Sequence, residues 1–408
     1  MRDGDPVDLI IVGGGIVGSL AAWRAVRAGL TVRWFDPQPG NGASRAAAGM
    51  LAPTFEAAFG ERDLMRLNVG SAALWPKLVS DLASETGCDL QLRQAGTLTV
   101  AFDSGDLTEA RRVHDLHEEW GLSSAVLTTS GVRQRLSIVG SRVAGGLWAA
   151  HDHSVNPRRV ISSLVTAVAA RGVAADRRHV VSLLTEYSGS TTTVSGVLLS
   201  DGSTVQAERV LVAAGWESGE LLGRIPGLVV PTRPVKGEVV RLDASGLPWL
   251  DIGYTVRGLV QGRPIYLVPR PGGEIVIGAT TVELPDDREM TAGGLFALLR
   301  DARAIVPGID EAPVRELMAR ARPGTPDNLP LIGRVGDGSL LVATGHYRHG
   351  ILLAALTDHY VNLLLRGDEL PAEARVCDPN RFSLAARVPI PDCGDQPAIE
   401  LPTHPRSI

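Results

Sequence analysis

The run Leu9-Ile10-Ile11-Val12-Gly13-Gly14-Gly15-Ile16-Val17-Gly18 constrains this chain more than any other, because an apolar strand passes through Gly-x-Gly-x-x-Gly straight into a helical pattern. Gly13 permits the tight turn, Gly15 lets the backbone approach a pyrophosphate, and Gly18 lets the helix pack closely on the strand. Phosphates would meet unpaired N–H groups around Ile16 and Val17, at the positive end of the helix. A second strand, Thr31-Val32-Arg33-Trp34-Phe35, follows the helix stop at Ala28-Gly29 and ends at Asp36. An acidic residue about twenty positions past the glycines takes the hydroxyls of an adenosine ribose. A plain Gly-rich turn with a surface Asp would not need this order, so the expectation is a dinucleotide site.

The 408 residues suffice for two domains, and 44% hydrophobic with 21% charged residues is ordinary for a globular enzyme. A net charge of −5 leaves no basic surplus for nucleic acid. Cys88, Cys377 and Cys393 are far apart and in no metal-ligand spacing, and His151 and His153 lack a third ligand, so free thiols and no metal are expected. The first residues carry no basic-then-apolar signal, and no apolar run is long enough to cross a bilayer, which predicts a cytoplasmic protein without an integral membrane segment.

Three strand-to-glycine passages punctuate the chain: the first one, Val210-Leu211-Val212-Ala213-Ala214-Gly215-Trp216, and Leu340-Leu341-Val342-Ala343-Thr344-Gly345, which opens into an apolar helix from about Ile351. Asn156-Pro157 reads as an N-cap with proline at the first helical position, and that helix stops at Gly172. Between these passages lie strand-rich stretches, one around 94–102 with a charged helix after it, the other with strands at 235–242, 264–268 and 274–279. The interspersion predicts one discontinuous cofactor domain (1–84, 149–228 and 323–370) and one substrate domain (85–148 and 229–322). Residues 371–408 read as a C-terminal extension, Pro- and Asp-rich and without clear period past Arg375.

Five segments in order carry a resemblance: the glycine fingerprint, Ala46-Ala47-Ala48-Gly49-Met50, Pro234-Val235-Lys236-Gly237-Glu238, Arg322-Pro323-Gly324-Thr325-Pro326-Asp327, and Gly345-His346-Tyr347-Arg348-His349-Gly350-Ile351-Leu352-Leu353. Together, over residues 7 to 368, they resemble the FAD-dependent D-amino-acid oxidase and sarcosine oxidase family, and within it most the glycine oxidases of thiamine biosynthesis (ThiO type). The resemblance implies an α/β plus α+β fold: a discontinuous, glutathione-reductase-like FAD-binding Rossmann domain with an inserted antiparallel-sheet substrate domain facing the flavin. It implies non-covalent FAD, since 319–323, where related sarcosine oxidases carry an attachment cysteine, contains none. By position, Val181 would meet the adenine, and Ser44, Arg45, Ala48, Gly49 and Met50 would follow the pyrophosphate, ribityl chain and flavin face. Ala214, Gly215 and Trp216 would lie under the cofactor, while Gly345, Arg348, His349, Gly350, Ile351 and Leu352 would reach the flavin edge.

The implied activity is oxidation of glycine to its imine by hydride transfer to flavin N5, releasing glyoxylate and ammonia. O₂ would be the acceptor, giving H₂O₂, and a homo-oligomer is the implied assembly. Arg322 matches the carboxylate-binding arginine, whose fork fits a carboxylate bidentately. Tyr266 matches a tyrosine bordering the substrate, and Arg348 a position contacting substrate or flavin. Arg320 falls on the same strand face as Arg322, so either arginine can face the substrate. His346 and His349 flank Arg348, but hydride transfer from a neutral amine needs no enzyme base, which leaves them structural or flavin-adjacent. Alternatives are a D-amino-acid or sarcosine oxidase or dehydrogenase, and, from another class, a flavin-binding protein without turnover.

Overall fold

In the computed structural model, which describes residues 7–189, 191–283 and 288–385, the strands sort into two eight-stranded sheets and one two-stranded pair. Cys393 and the extension beyond 385 lie outside the described residues. The first sheet runs in the order Leu331–Val335, Leu340–Thr344, Thr204–Val212, Val7–Val12, Val32–Phe35 and Ala175–Asp176, parallel except for Leu331–Val335. An antiparallel hairpin, Val180–Ser188 with Thr191–Leu199, joins it along Thr204–Val212.

Strand Val7–Val12 is apolar on both faces because both are covered. Leu9 and Ile11 pack with Leu20, Trp23, Leu164 and Tyr360 of the helices Ile16–Arg27, Pro157–Ala169 and Ala354–Arg366. Ile10 and Val12 pack with Val197 and Val205 of the opposite layer. Gly13 has φ +109°, and a Cβ there would overlap the Ala213 carbonyl oxygen; a Cβ on Gly18 would overlap the carbonyl oxygen of Gly13. The turn therefore exists in this form only without side chains at those two positions.

The second sheet is ordered Val314–Gly324, Arg233–Asp243, Glu274–Gly278, Arg263–Pro269, Thr255–Val260, Thr97–Ala101, Gly145–Ala149, Ala125–Thr128. All neighbours are antiparallel except Thr255–Val260 with Thr97–Ala101. Helix Ala292–Ile305 covers one face through Leu298, Ala302 and Ile305. The other face turns Val239, Met318, Val268, Val276 and Tyr266 onto the small-residue run, with Ala46 and Ala48 in direct contact. The Ala48 carbonyl there also accepts a hydrogen bond from the buried Arg270 guanidinium.

Asn156 caps its helix as expected, accepting from the amides of Arg158 (3.1 Å) and Arg159 (3.4 Å) with Pro157 at the first position. Two long helices add to the sequence reading. Arg62–Thr86 places Leu64, Leu67, Ser71, Trp75, Leu78 and Leu82 on one buried stripe although Pro76 lies inside it, and Ala292–Ile305 interrupts the strand-rich stretch. The extension is also corrected for its first part: Ala372–Cys377 forms 3₁₀ turns and Arg381–Ala385 a helix. Arg381 reaches both Asp327 oxygens at 2.8 Å, and Cys377 is fully buried, so these residues belong to the packed body.

Candidate active site

Two cavities meet at Ala43 and Ser44. The longer, about 640 Å³, runs from His179, Val180 and Val181 past Asp36 and the glycine turn to Ala214, Gly215, Trp216 and Thr344. Gly15, Ile16 and Val17 line it, so helix Ile16–Arg27 presents its N-terminus to the space. Asp36 accepts from the Gly14 amide through Oδ2 and from the Gln38 amide through Oδ1 (2.7 Å), which leaves a lone pair on each oxygen. Ser44 Oγ accepts from the Ile16 amide at 3.1 Å, a hydroxyl at the place where a helix start receives phosphate oxygens. A turn free of Cβ atoms, a helix N-terminus and a carboxylate with spare acceptors suit a dinucleotide.

Three expected cofactor residues lie elsewhere. Gly18 packs beneath the turn and Gly345, at φ +77°, packs on the Thr325 methyl; both shape the backbone and line neither cavity. Arg45 turns away, its Nη2 3.9 Å from Glu316 Oε1, because the short helix Ala43–Ala46 directs Ala43 and Ala46 inward instead. The remaining expected positions, Ala48, Gly49, Met50, Arg348, His349, Gly350, Ile351 and Leu352, line the second cavity.

That second cavity, about 160 Å³, lies between the small-residue run and the second sheet. Arg322 lies flat over Gly237 of the neighbouring strand, where any Cβ would overlap its guanidinium. Its Nη1 donates to the Thr280 carbonyl at 3.1 Å, and it makes no other hydrogen bond among the described residues. Arg320, by contrast, is tied to Asn41 by Nε to the carbonyl (2.7 Å) and Nη2 to Oδ1 (2.8 Å). Arg322 is thus the arginine with donors to spare. Tyr266 lies over Gly278, its register partner, in the same way. Burial raises its phenol above the ordinary value, despite nearby Arg322, so the hydroxyl stays a donor. Arg348 stands exposed at the rim.

The sequence reading missed Glu56 and Arg257, which line the same cavity. Burial opposes ionisation of Glu56, yet the guanidinium charges of Arg257 and Arg348 outweigh it and hold the carboxyl at about 2. Glu56 Oε1 pairs with Arg257 Nη1 at 2.5 Å, and Oε2 lies 4.0 Å from His349 Nδ1. The turn carrying Glu56 is clamped by Asp152, whose Oδ1 accepts from the Thr54 amide (3.0 Å) and Oδ2 from the Phe55 amide (2.9 Å). A signal was present: Glu56 is the sole charged residue between Arg45 and Glu61.

The two histidines are not poised as bases. Thr357 Oγ1 donates to the Leu353 carbonyl and so accepts from His346 Nε2 at 2.8 Å, while His349 Nδ1 meets Asn68 Nδ2 at 3.2 Å. Burial lowers both, His346 to about 4, which keeps them neutral.

The sequence profile of the FAD dependent oxidoreductase family matches residues 8–362. The chain belongs to that family, and its cofactor is FAD. It is 31% identical over 385 residues to the glycine oxidase of Geobacillus kaustophilus, covering 93% of this chain and 97% of that one. The crystal structure of glycine oxidase from that organism superimposes with a TM-score of 0.83 at 30% identity, over 92% of this chain and 99% of that chain. The bifunctional ThiO/ThiG protein of Synechocystis is 28% identical over 394 residues, 96% of this chain but 56% of that protein. The chain therefore spans about half the length of the bifunctional relatives it matches.

Proposed function

We propose that this chain oxidises glycine at its α-carbon to the imine, which water converts to glyoxylate and ammonia, and that the imine serves thiazole formation in thiamine synthesis. With O₂ as acceptor, one glycine, one O₂ and one water give glyoxylate, ammonia and H₂O₂. FAD, held by the turn at 13–15, Asp36 and Ser44, supplies the two-electron acceptor when bound. The observation that carries this reading is Arg322: a half-buried guanidinium with open donors, beside the Tyr266 hydroxyl, in a small cavity that meets the cofactor cleft. The arginine binds the substrate carboxylate and the phenol adds a second donor to it, so the α-carbon is fixed in orientation. The 46–50 run and the strand face bearing Val239 exclude water.

The wider reading is a cytoplasmic homo-oligomer, with 1–84, 149–228 and 323–370 as the cofactor domain and 85–148 and 229–322 as the substrate domain. Anaerobic titration with glycine, followed by the oxidised-flavin absorbance, tests the reaction. Bleaching supports it, and peroxide on readmitting air supports the acceptor. A flavin that glycine leaves oxidised sinks the proposal. Light scattering reads the assembly.

A further inference from the structure

Glu56 Oε2 is an acceptor without a donor. Oε1 is taken by Arg257, but no hydrogen bond reaches Oε2 from any described residue, and His349 Nδ1, 4.0 Å away, is neutral and already engaged by Asn68. This oxygen opens onto the cavity that Glu56 lines, so a donor that arrives with a ligand can meet it there. The carboxylate is also held in place before any ligand comes: Arg257 fixes it from one strand, and Asp152 fixes the two amides just before it. Arg322, with its spare donors, lines the same space. An anion holder and an ionised acceptor in one small cavity match the two ends of an α-amino acid.

We propose that Glu56 is the specificity-determining residue at the amine end: its Oε2 accepts an N–H from the primary or secondary amine whose carboxylate Arg322 holds. The proposal rests on the amino-acid reading above. It makes the cavity selective for N–H-bearing carboxylates and hostile to a second anionic group near Glu56.

The test compares two ligands of the holoenzyme. Glycine is titrated anaerobically by flavin bleaching, and acetate, which keeps the carboxylate and replaces the amine by a hydrogen atom, is measured as an inhibitor of that bleaching. Glu56→Gln should raise the glycine requirement on the order of tenfold or more, the loss of an ionic acceptor, while acetate inhibition stays within about twofold. Parallel shifts for both ligands, or no shift for glycine, would overturn the proposal. Should Glu56→Gln fail to retain FAD, Glu56→Asp keeps the charge beside Arg257 and withdraws the oxygen; the same glycine-selective weakening is expected, and equal weakening overturns it. Wild-type enzyme that glycine cannot bleach removes the underlying reading as well, whereas wild-type bleaching with parallel shifts in the variant removes this proposal alone.

Discussion

The cofactor cleft and the substrate cavity share Ala43 and Ser44 but are made of different materials. Around the cleft the working parts are backbone: a glycine turn, a helix start, a strand end and one acidic residue, all within thirty-odd positions of one another. Around the cavity they are long side chains from distant segments, Glu56, Arg257, Tyr266, Arg322 and Arg348, brought together by strand register and a clamped turn. Backbone sites tolerate no added atoms, whereas side-chain sites tolerate substitution at a cost in affinity. The two should therefore fail differently when changed.

The sharpest contrast comes from Gly18→Ala. The new methyl would overlap the Gly13 carbonyl oxygen, so the variant should lose on the order of 3 kcal/mol or more of stability and purify with little FAD, read from the flavin-to-protein absorbance ratio. Arg322→Ala should do the reverse, keeping FAD while raising the glycine requirement about a hundredfold, roughly 3 kcal/mol. An unchanged glycine requirement would remove Arg322 from the carboxylate role.

Acid should weaken the whole structure. His346 and His117 titrate at about 4 in the folded chain against an ordinary 6.5, burial being the main cause. The unfolded chain then binds more protons between those values, so stability is full above pH 6.5 and falls as pH drops toward 4. Asp152, raised by burial to about 6, acts in the opposite sense and recovers part of the loss. A net decline of about 4 kcal/mol is expected, visible as a falling Tm of holoenzyme; a flat profile would contradict the neutral buried histidines.

Asp152→Asn replaces one acceptor with an N–H that faces another N–H. It should cost about 1–2 kcal/mol in thermal stability and weaken glycine more than FAD. Tyr266→Phe should be mildest, about 1 kcal/mol in glycine affinity, because Arg322 still holds the carboxylate. If Tyr266→Phe matched Arg322→Ala, the phenol would be the principal anchor.

The same contrast explains what could be read from residues alone. Gly13, Gly15 and Asp36 are informative because their function is local backbone geometry, and their order survives in one dimension. Arg322 against Arg320 was undecidable because strand alternation places both on one face; Asn41, far away in the chain, ties Arg320 down. Glu56 meets Arg257 across about two hundred positions, a pairing no spacing rule contains. Helix Arg62–Thr86 contains Pro76, a helix breaker by sequence that its buried stripe overrides. The extension past Arg375 looked featureless because its anchors, Asp327 and the Pro330 carbonyl, belong to another segment.

Arg322 and Tyr266 both recline on glycines, Gly237 and Gly278, that make no claim on the substrate themselves. The depth of the cavity is therefore governed from behind. A methyl group added at either glycine would lift the guanidinium or the phenol forward, shrinking the space without altering a single group that meets the ligand. On the proposed reaction, a change at either glycine would alter preference among small amines while Arg322, Tyr266 and Glu56 stay the same.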